Sequence, residues 1–252
     1  MGDFEELVRE ASEASVATWD FSYIEGRYEQ DPPSWDWHAE VGAACEGAGS
    51  LLDLGTGDGR LLASIRPWPP RVSATEGHPP MVPIARARLE PLGAEVVPIS
   101  EDEKVDLPFG DARFDVVYSA REFYRADEVA RILEIGGVFL TEQVTSGNLN
   151  ELNRFLDETD AYRDAPDAEA AAAELRDGGF EVLDLRDEWL DARFLDVGAI
   201  VFYLRLVIWQ LPGFTVGRYR DRLRALHETI EREGVFRARS RRFFLKARKL
   251  GP

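Results

Sequence analysis

The chain has 252 residues, 44% of them hydrophobic and 11% aromatic, enough for one large core or two small ones. Its formal net charge of −17 argues against broad electrostatic capture of nucleic acid, and a single cysteine, Cys45, excludes an internal disulfide or a cysteine-rich zinc site and fits a reducing compartment. No apolar run reaches the length of about 18 residues that spans a bilayer, and the opening MGDFEELVRE has neither a basic nor an apolar leader region, so the chain reads as soluble, cytoplasmic and metal-free.

In chain order, residues 1–49 come first, with three tryptophans and two tyrosines in WDFSYIEGRYEQDPPSWDW; they read as a helical, aromatic N-terminal cap. From residue 50 a strand–helix rhythm begins. SLLDLG is a short apolar run suited to a buried parallel strand, and RVSATE and AEVVPI are the next two strands. Between them MVPIARARLEPLG places Met81, Ile84, Ala85 and Leu89 on one helical face. FDVVYSA and GGVFLTEQV read as the fourth and fifth strands, separated by the helix-like DEVARILEIGG, whose glycines suit a helix stop. GFEVLDL follows an alanine-rich helix as the sixth strand. The 191–235 stretch, with DVGAIVFYLRLVIWQLPGF and the amphipathic RYRDRLRALHETIERE, breaks the rhythm and reads as a helical insert near the substrate site.

The last stretch, FRARSRRFFLKARK, holds seven basic side chains and no acid. Arg237, Arg239 and Arg241 alternate with Phe236 and Ala238, as the outward positions of a half-buried strand should, and a role toward RNA or an acidic substrate stands as the alternative. The pattern predicts an α/β, Rossmann-like, doubly wound and mostly parallel seven-stranded sheet with helices on both faces. Residues 50–190 form its core and 236–252 its terminal strand.

Ligands of such sheets bind outside the carboxyl ends of the strands, where the strand order reverses. SLLDLGTGDGR ends the first core strand in Asp53 and turns on Gly55, Gly57 and Gly59, which let a backbone approach a ligand closely. The dinucleotide spacing G-x-G-x-x-G fails, because the third position from Gly55 is Arg60, and no phosphate-binding P-loop sequence occurs. A carboxylate at the strand end repels a pyrophosphate but suits an ammonium group. S-adenosylmethionine carries an ammonium, a sulfonium and no phosphate, and its ribose hydroxyls suit Glu76, which ends RVSATE.

LLDLGTGDGR, SATEGHPPM, LPFGDARFDVVYS and IGGVFLTEQV, in that order, resemble the motifs of class I S-adenosylmethionine-dependent methyltransferases over about residues 50–144. WDFSYIEGR, DVGAIVFYLR…WQLPGF and RRFFLKARK are similar to a poorly characterised bacterial subgroup of that family. The resemblance implies that Gly55, Thr56, Gly57 and Gly59 flank the methionine part, that Asp53 serves its ammonium and that Glu76 takes the ribose hydroxyls. It further implies that Gly77 and Met81 line the adenine, that Glu103, among Glu101, Asp102 and Glu103, meets the adenine amino group, and that Ser119 and Ala120 contact the cofactor through their backbone. After the fourth strand the chain reads SAREFY, without the Asn-Pro-Pro-Tyr signature, which disfavours amino methylation of nucleobases or glutamine.

Methyl transfer from a sulfonium is an in-line displacement in which orientation supplies much of the acceleration, and a base matters only for a nucleophile that must lose a proton. His38, Glu122 and Glu142 are the candidate bases. Trp19, Tyr23, Arg27, Arg121 and Trp209 are candidate substrate contacts; Arg27 and Arg121 could also hold the cofactor carboxylate, Gln210 could face the substrate beside Trp209, and Trp35 and Trp37 could belong to the cap. The expected function is methyl transfer to a small molecule, with RNA methylation or non-catalytic binding of S-adenosylmethionine as alternatives.

Overall fold

The computed structural model describes residues 2–100, 102, 106–156, 165 and 167–251. In chain order its regular elements are α1 (Phe4–Glu13), β1 (Tyr28–Gln30), α2 (Trp37–Cys45), β2 (Ser50–Leu54), α3 (Arg60–Ser64), β3 (Arg71–Glu76), α4 (Val82–Leu89), β4 (Glu95–Pro98) and β5 (Phe114–Ala120). They continue with α5 (Ala126–Ile132), β6 (Leu133–Val144), α6 (Asn150–Phe155), α7 (Ala168–Asp177), β7 (Phe180–Phe194), α8 (Val197–Leu206), α9 (Val216–Glu233) and β8 (Phe236–Lys249). The strands form one sheet in the order β1-β7-β8-β6-β5-β2-β3-β4, parallel from β6 through β4.

The sheet therefore has eight strands, not seven. The additional one is β1, whose three residues pair antiparallel with Ala192–Phe194 of β7. So short a strand shows no alternation of its own, and only its partner reveals it. The glycines expected to stop a helix do something else: α5 ends at Ile132, and in β6 the register with β5 jumps from Leu133 opposite Phe114 to Val138 opposite Val116, so that residues 134–137 bulge out.

The chain divides into two compact units. A helical unit holds residues 1–33, 144–165 and 188–242, and a parallel-sheet unit holds 34–143, 166–187 and 243–252. The segment read as an N-terminal cap is thus shared, its first 33 residues in the helical unit and the rest in the other.

In the parallel-sheet unit, neighbouring residues of each strand point to opposite faces, and both faces are covered. Leu51, Val116, Leu140 and Phe244 join Trp35, Trp37, Val41 and Leu89 in one core layer, and Leu52, Val117, Phe139 and Phe243 join Val129, Ile132 and Leu175 in the other. Burial on both faces explains why these strands read as continuous apolar runs. Trp35 and Trp37, expected in a cap, are therefore core residues of this unit. Its strand order reverses between β2 and β5, which puts the ends of those strands at the switch point.

In the helical unit one core gathers Phe4 and Val8 of α1, Ile200 and Phe202 of α8, Leu223 and Leu226 of α9, and Phe194 and Phe236 from the strands. Along β8 the expected alternation holds: Arg237 and Arg239 are exposed, and Phe236, Ala238 and Ser240 are buried. Among the described residues no helix is long and apolar enough to cross a membrane, and no group of three or more His, Cys, Asp or Glu could hold a metal ion.

Candidate functional site

Asp53 is the penultimate residue of β2, between Ala74 of β3 and Tyr118 of β5, and it is buried. The turn that follows is tied to β3, since Thr75 Oγ1 accepts from Gly55 N at 3.1 Å and Thr75 O from Thr56 N at 2.8 Å. Farther along, the Asp58 carboxylate pairs with Arg88 of α4 at 2.6 Å. Gly55 and Gly57 both lie in the left-handed region, at φ 71° and 60°, where side chains are strained. A Cβ at Gly57 would meet nothing within 4 Å, so this glycine leaves open space over the turn; one at Gly59 would strike Leu89 at 2.7 Å.

Three acids named from the sequence converge on this turn: Asp53, Glu76 and Glu122. Burial pushes the Asp53 carboxyl up to about 7, reinforced by the nearby charges of Glu76 and Glu122 and opposed by the Thr56 and Tyr118 hydroxyls. Both hydroxyl oxygens are buried beside that carboxylate. Glu76, at the end of β3, accepts from His78 N at 2.6 Å. Burial raises its pKa too, against the backbone N–H groups of His78, Gly57 and Gly77. Glu122 lies across Gly55: a Cβ there would sit 2.2 Å from its Cγ.

Ser119 is buried, its hydroxyl donates to Glu122 O at 2.7 Å, and its carbonyl accepts from Thr141 Oγ1 at 3.0 Å. Gln143 Nε2 donates to Glu122 O as well, at 2.8 Å, so the turn after β5 is held from β6. Ala120 is half-buried beside it, and Arg121 is exposed with its backbone at φ 65°. Glu142 accepts the Trp35 indole N–H at 2.8 Å. Met81 is buried at the start of α4, with Gly77 half-buried ahead of it. Glu101 and Glu103 lie outside the described residues. His38 stands exposed on α2 and bonds Ser64 of α3 at 2.8 Å.

The remaining candidates belong to the helical unit. Arg27 makes two hydrogen bonds to Asp196, at 2.7 and 2.6 Å, with its guanidinium 4.7 Å from the Tyr23 ring, while Asp196 also caps α8 through Ala199 N. Gly198 admits that guanidinium, since a Cβ there would meet Arg27 Nη2 at 2.6 Å. Arg27 is thus an internal staple of this unit. Tyr23 stacks on Phe202 at 4.7 Å. Trp19 and Trp209 pair at 5.2 Å and stay 40% and 47% exposed. Gln210 does not face outward: it is fully buried and exchanges hydrogen bonds with Asn148 and Asn153.

Reading the sequence missed Tyr118, Thr75 and Gln143 at the turn. Tyr118 and Thr75 sit inside apolar strands, where they read as core filling. Only their register opposite Asp53 and beside Gly55 brings them to the site.

Residues 51–137 match the family described as methyltransferase domain. No curated protein matches the chain. Among solved structures, a Bacillus halodurans protein assigned as a methyltransferase is similar with a TM-score of 0.60 and 20% identity, over 85% of this chain and 97% of that one. A geranyl diphosphate methyltransferase solved with GPP and sinefungin has a TM-score of 0.52 and 12% identity, over 98% of both chains. The [4+2]-cyclase SpnF has a TM-score of 0.52 and 18% identity, over 98% of this chain and 94% of its own. At these identities the likeness is one of fold, which is the Rossmann-like fold of class I methyltransferases.

Proposed function

We propose that the protein, whose residues 51–137 match the methyltransferase-domain family, uses S-adenosylmethionine to methylate a small molecule by in-line displacement. The observation that carries this reading is the meeting of Asp53, Glu76 and an open glycine turn at the switch point of the sheet. Buried carboxylates suit a ligand with a cationic end and disfavour a phosphate. The residues present therefore fit this cofactor, which supplies a methyl group on a positively charged sulfur that leaves as a neutral thioether.

In this reading Asp53 holds the ammonium, Glu76 accepts the ribose hydroxyls and Gly57 lets the backbone approach. Ser119 and Ala120 meet the cofactor through their backbone, and Gly77 and Met81 border the adenine. The chain's contribution to the chemistry is orientation and exclusion of water. Of the candidate bases, Glu122 is the one whose charge reaches the Asp53 carboxylate.

The test is calorimetric titration with S-adenosylmethionine, S-adenosylhomocysteine and NAD, with Glu76→Ala as control. Binding of the first two, weakened in the variant, supports the reading, and a folded protein that binds neither removes it. Screening acceptors for methylated product then separates an enzyme from a binding protein, a distinction the fold leaves open because it also serves a cyclase.

One observation favours RNA as the acceptor. Trp189 is 46% exposed, with the guanidinium groups of Arg239 and Arg241 at 4.8 and 5.3 Å from its ring. This reading stands second because acids occupy the same face: Glu151 pairs with Arg239 and Asp31 with Arg193. RNA retention that falls steeply with salt would promote it, and no retention at low salt would remove it.

A further inference from the structure

The chain leaves β5 by a turn that core packing does not hold. Arg121, Glu122 and Phe123 are all exposed, and Arg121 sits at φ 65°, a left-handed backbone that is strained for a residue with a Cβ. The ladder between β5 and β6 ends at Ala120 opposite Glu142, and one further backbone bond, from Arg121 N to Glu142 O at 2.8 Å, follows it. Strain of this kind persists where neighbouring groups over-determine the conformation. Here those groups are side chains of β5 and β6.

They form a directional network in which each donor hydrogen has its own acceptor. Gln143 Nε2 donates to Glu122 O and to Thr141 Oγ1, both at 2.8 Å, which uses both of its N–H groups. The fully buried Thr141 donates its single O–H to Ser119 O at 3.0 Å, and Ser119 Oγ donates to Glu122 O at 2.7 Å. The Glu122 carbonyl thus has both lone pairs filled. Turning the Gln143 amide over would set its oxygen against that carbonyl, so its partners fix its orientation.

The position of this turn bears on the glycine turn. The Glu122 side chain lies across Gly55, where a Cβ would come within 2.2 Å of its Cγ, so a shift after β5 is felt after β2. The two turns flank the switch point of the sheet. We propose that Gln143 is a positioning residue of the cofactor site: its amide fixes the turn after β5, and through it the backbone of Ser119 and Ala120, in the conformation that receives S-adenosylmethionine. The inference rests on the S-adenosylmethionine reading above.

The experiment compares wild type, Gln143→Met and Gln143→Glu by calorimetry with S-adenosylmethionine and S-adenosylhomocysteine, and by hydrogen–deuterium exchange of the backbone amides. Methionine keeps the length of the side chain and removes both donors, so affinity for both ligands should fall about fivefold to tenfold, the worth of one or two hydrogen bonds. Exchange should speed up at residues 120–124 and keep its wild-type rate in β2 and β3. Glutamate keeps the shape but, when ionised, turns an acceptor toward the Glu122 carbonyl. It should lose more at about pH 8 and recover part of the loss, relative to wild type, at about pH 5, where a protonated carboxyl donates again. Should Gln143→Met not fold, the isosteric Gln143→Glu carries the test alone. Unchanged affinity in the folded variants would overturn the proposal. So would faster exchange throughout the sheet, which would make Gln143 a residue of general stability, or a glutamate variant whose ratio to wild type is flat with pH. Failure of the underlying cofactor reading looks different: the wild type binds neither ligand, and the proposal falls with it even where exchange shows the turn loosened.

Discussion

Two polar groupings, one in each compact unit of this chain, are built in opposite ways. In the helical unit the half-buried Arg27 is paired with Asp196, and the buried Gln210 with Asn148 and Asn153. In the parallel-sheet unit the end of β2 gathers like charges instead, with Glu76 and Glu122 both raising the Asp53 carboxyl. Satisfied networks hold a fold together; a cluster that costs stability persists where a ligand gives it a use.

The sharpest way to break this comparison is Gly57→Val. Because nothing lies within 4 Å of a Cβ there, the cost to stability is confined to the left-handed backbone, about 1–3 kcal/mol, and the fold should survive. Affinity for S-adenosylmethionine should fall by about a hundredfold or more, since the added side chain fills the space over the turn. Wild-type binding by a folded variant in calorimetry would mean that the site lies elsewhere.

Glu76→Ala comes next. Losing a charged acceptor should weaken cofactor binding by about 1.5–3 kcal/mol, while the melting temperature changes little or rises, because a buried carboxylate has been removed.

Asp196→Asn should do the reverse. It breaks a part-buried ion pair and should destabilise the protein by about 2 kcal/mol in denaturant titration, with the affinity for S-adenosylmethionine unchanged. A parallel loss of affinity would show that the two kinds of polarity are not separate.

A smaller effect tests Asp53 by pH. Its pKa of about 7 lies above the usual carboxylate value, so the folded state holds the proton better than the unfolded one, and Asp53 costs stability as pH rises from about 4 through 7. A cationic ligand favours the ionised form, so binding expels the proton. Affinity should therefore rise severalfold between about pH 6 and 7.5, with proton release visible as buffer-dependent heat, and Asp53→Asn should flatten the profile. The least effect is expected of Trp209→Ala: because that side chain is 47% exposed, stability should change by no more than about 0.5 kcal/mol in thermal melts.

The amino-acid sequence by itself determined the parallel-sheet unit's central strands, the glycine turn and the two acids that end β2 and β3. These signals are local: an apolar run buried on both faces, glycines that permit a left-handed turn, and a carboxylate at a strand end can all be read within a few residues. Tertiary structure alone decided the rest, because its partners are distant in the chain. Trp35 meets Glu142 across 107 positions and Arg27 meets Asp196 across 169, which turned an expected cap tryptophan into core and an expected ligand arginine into a staple. The strand β1 exists only through its pairing with β7. Glu122 reaches Gly55 only because parallel pairing brings the ends of β2 and β5 side by side, a proximity that no spacing along the chain encodes.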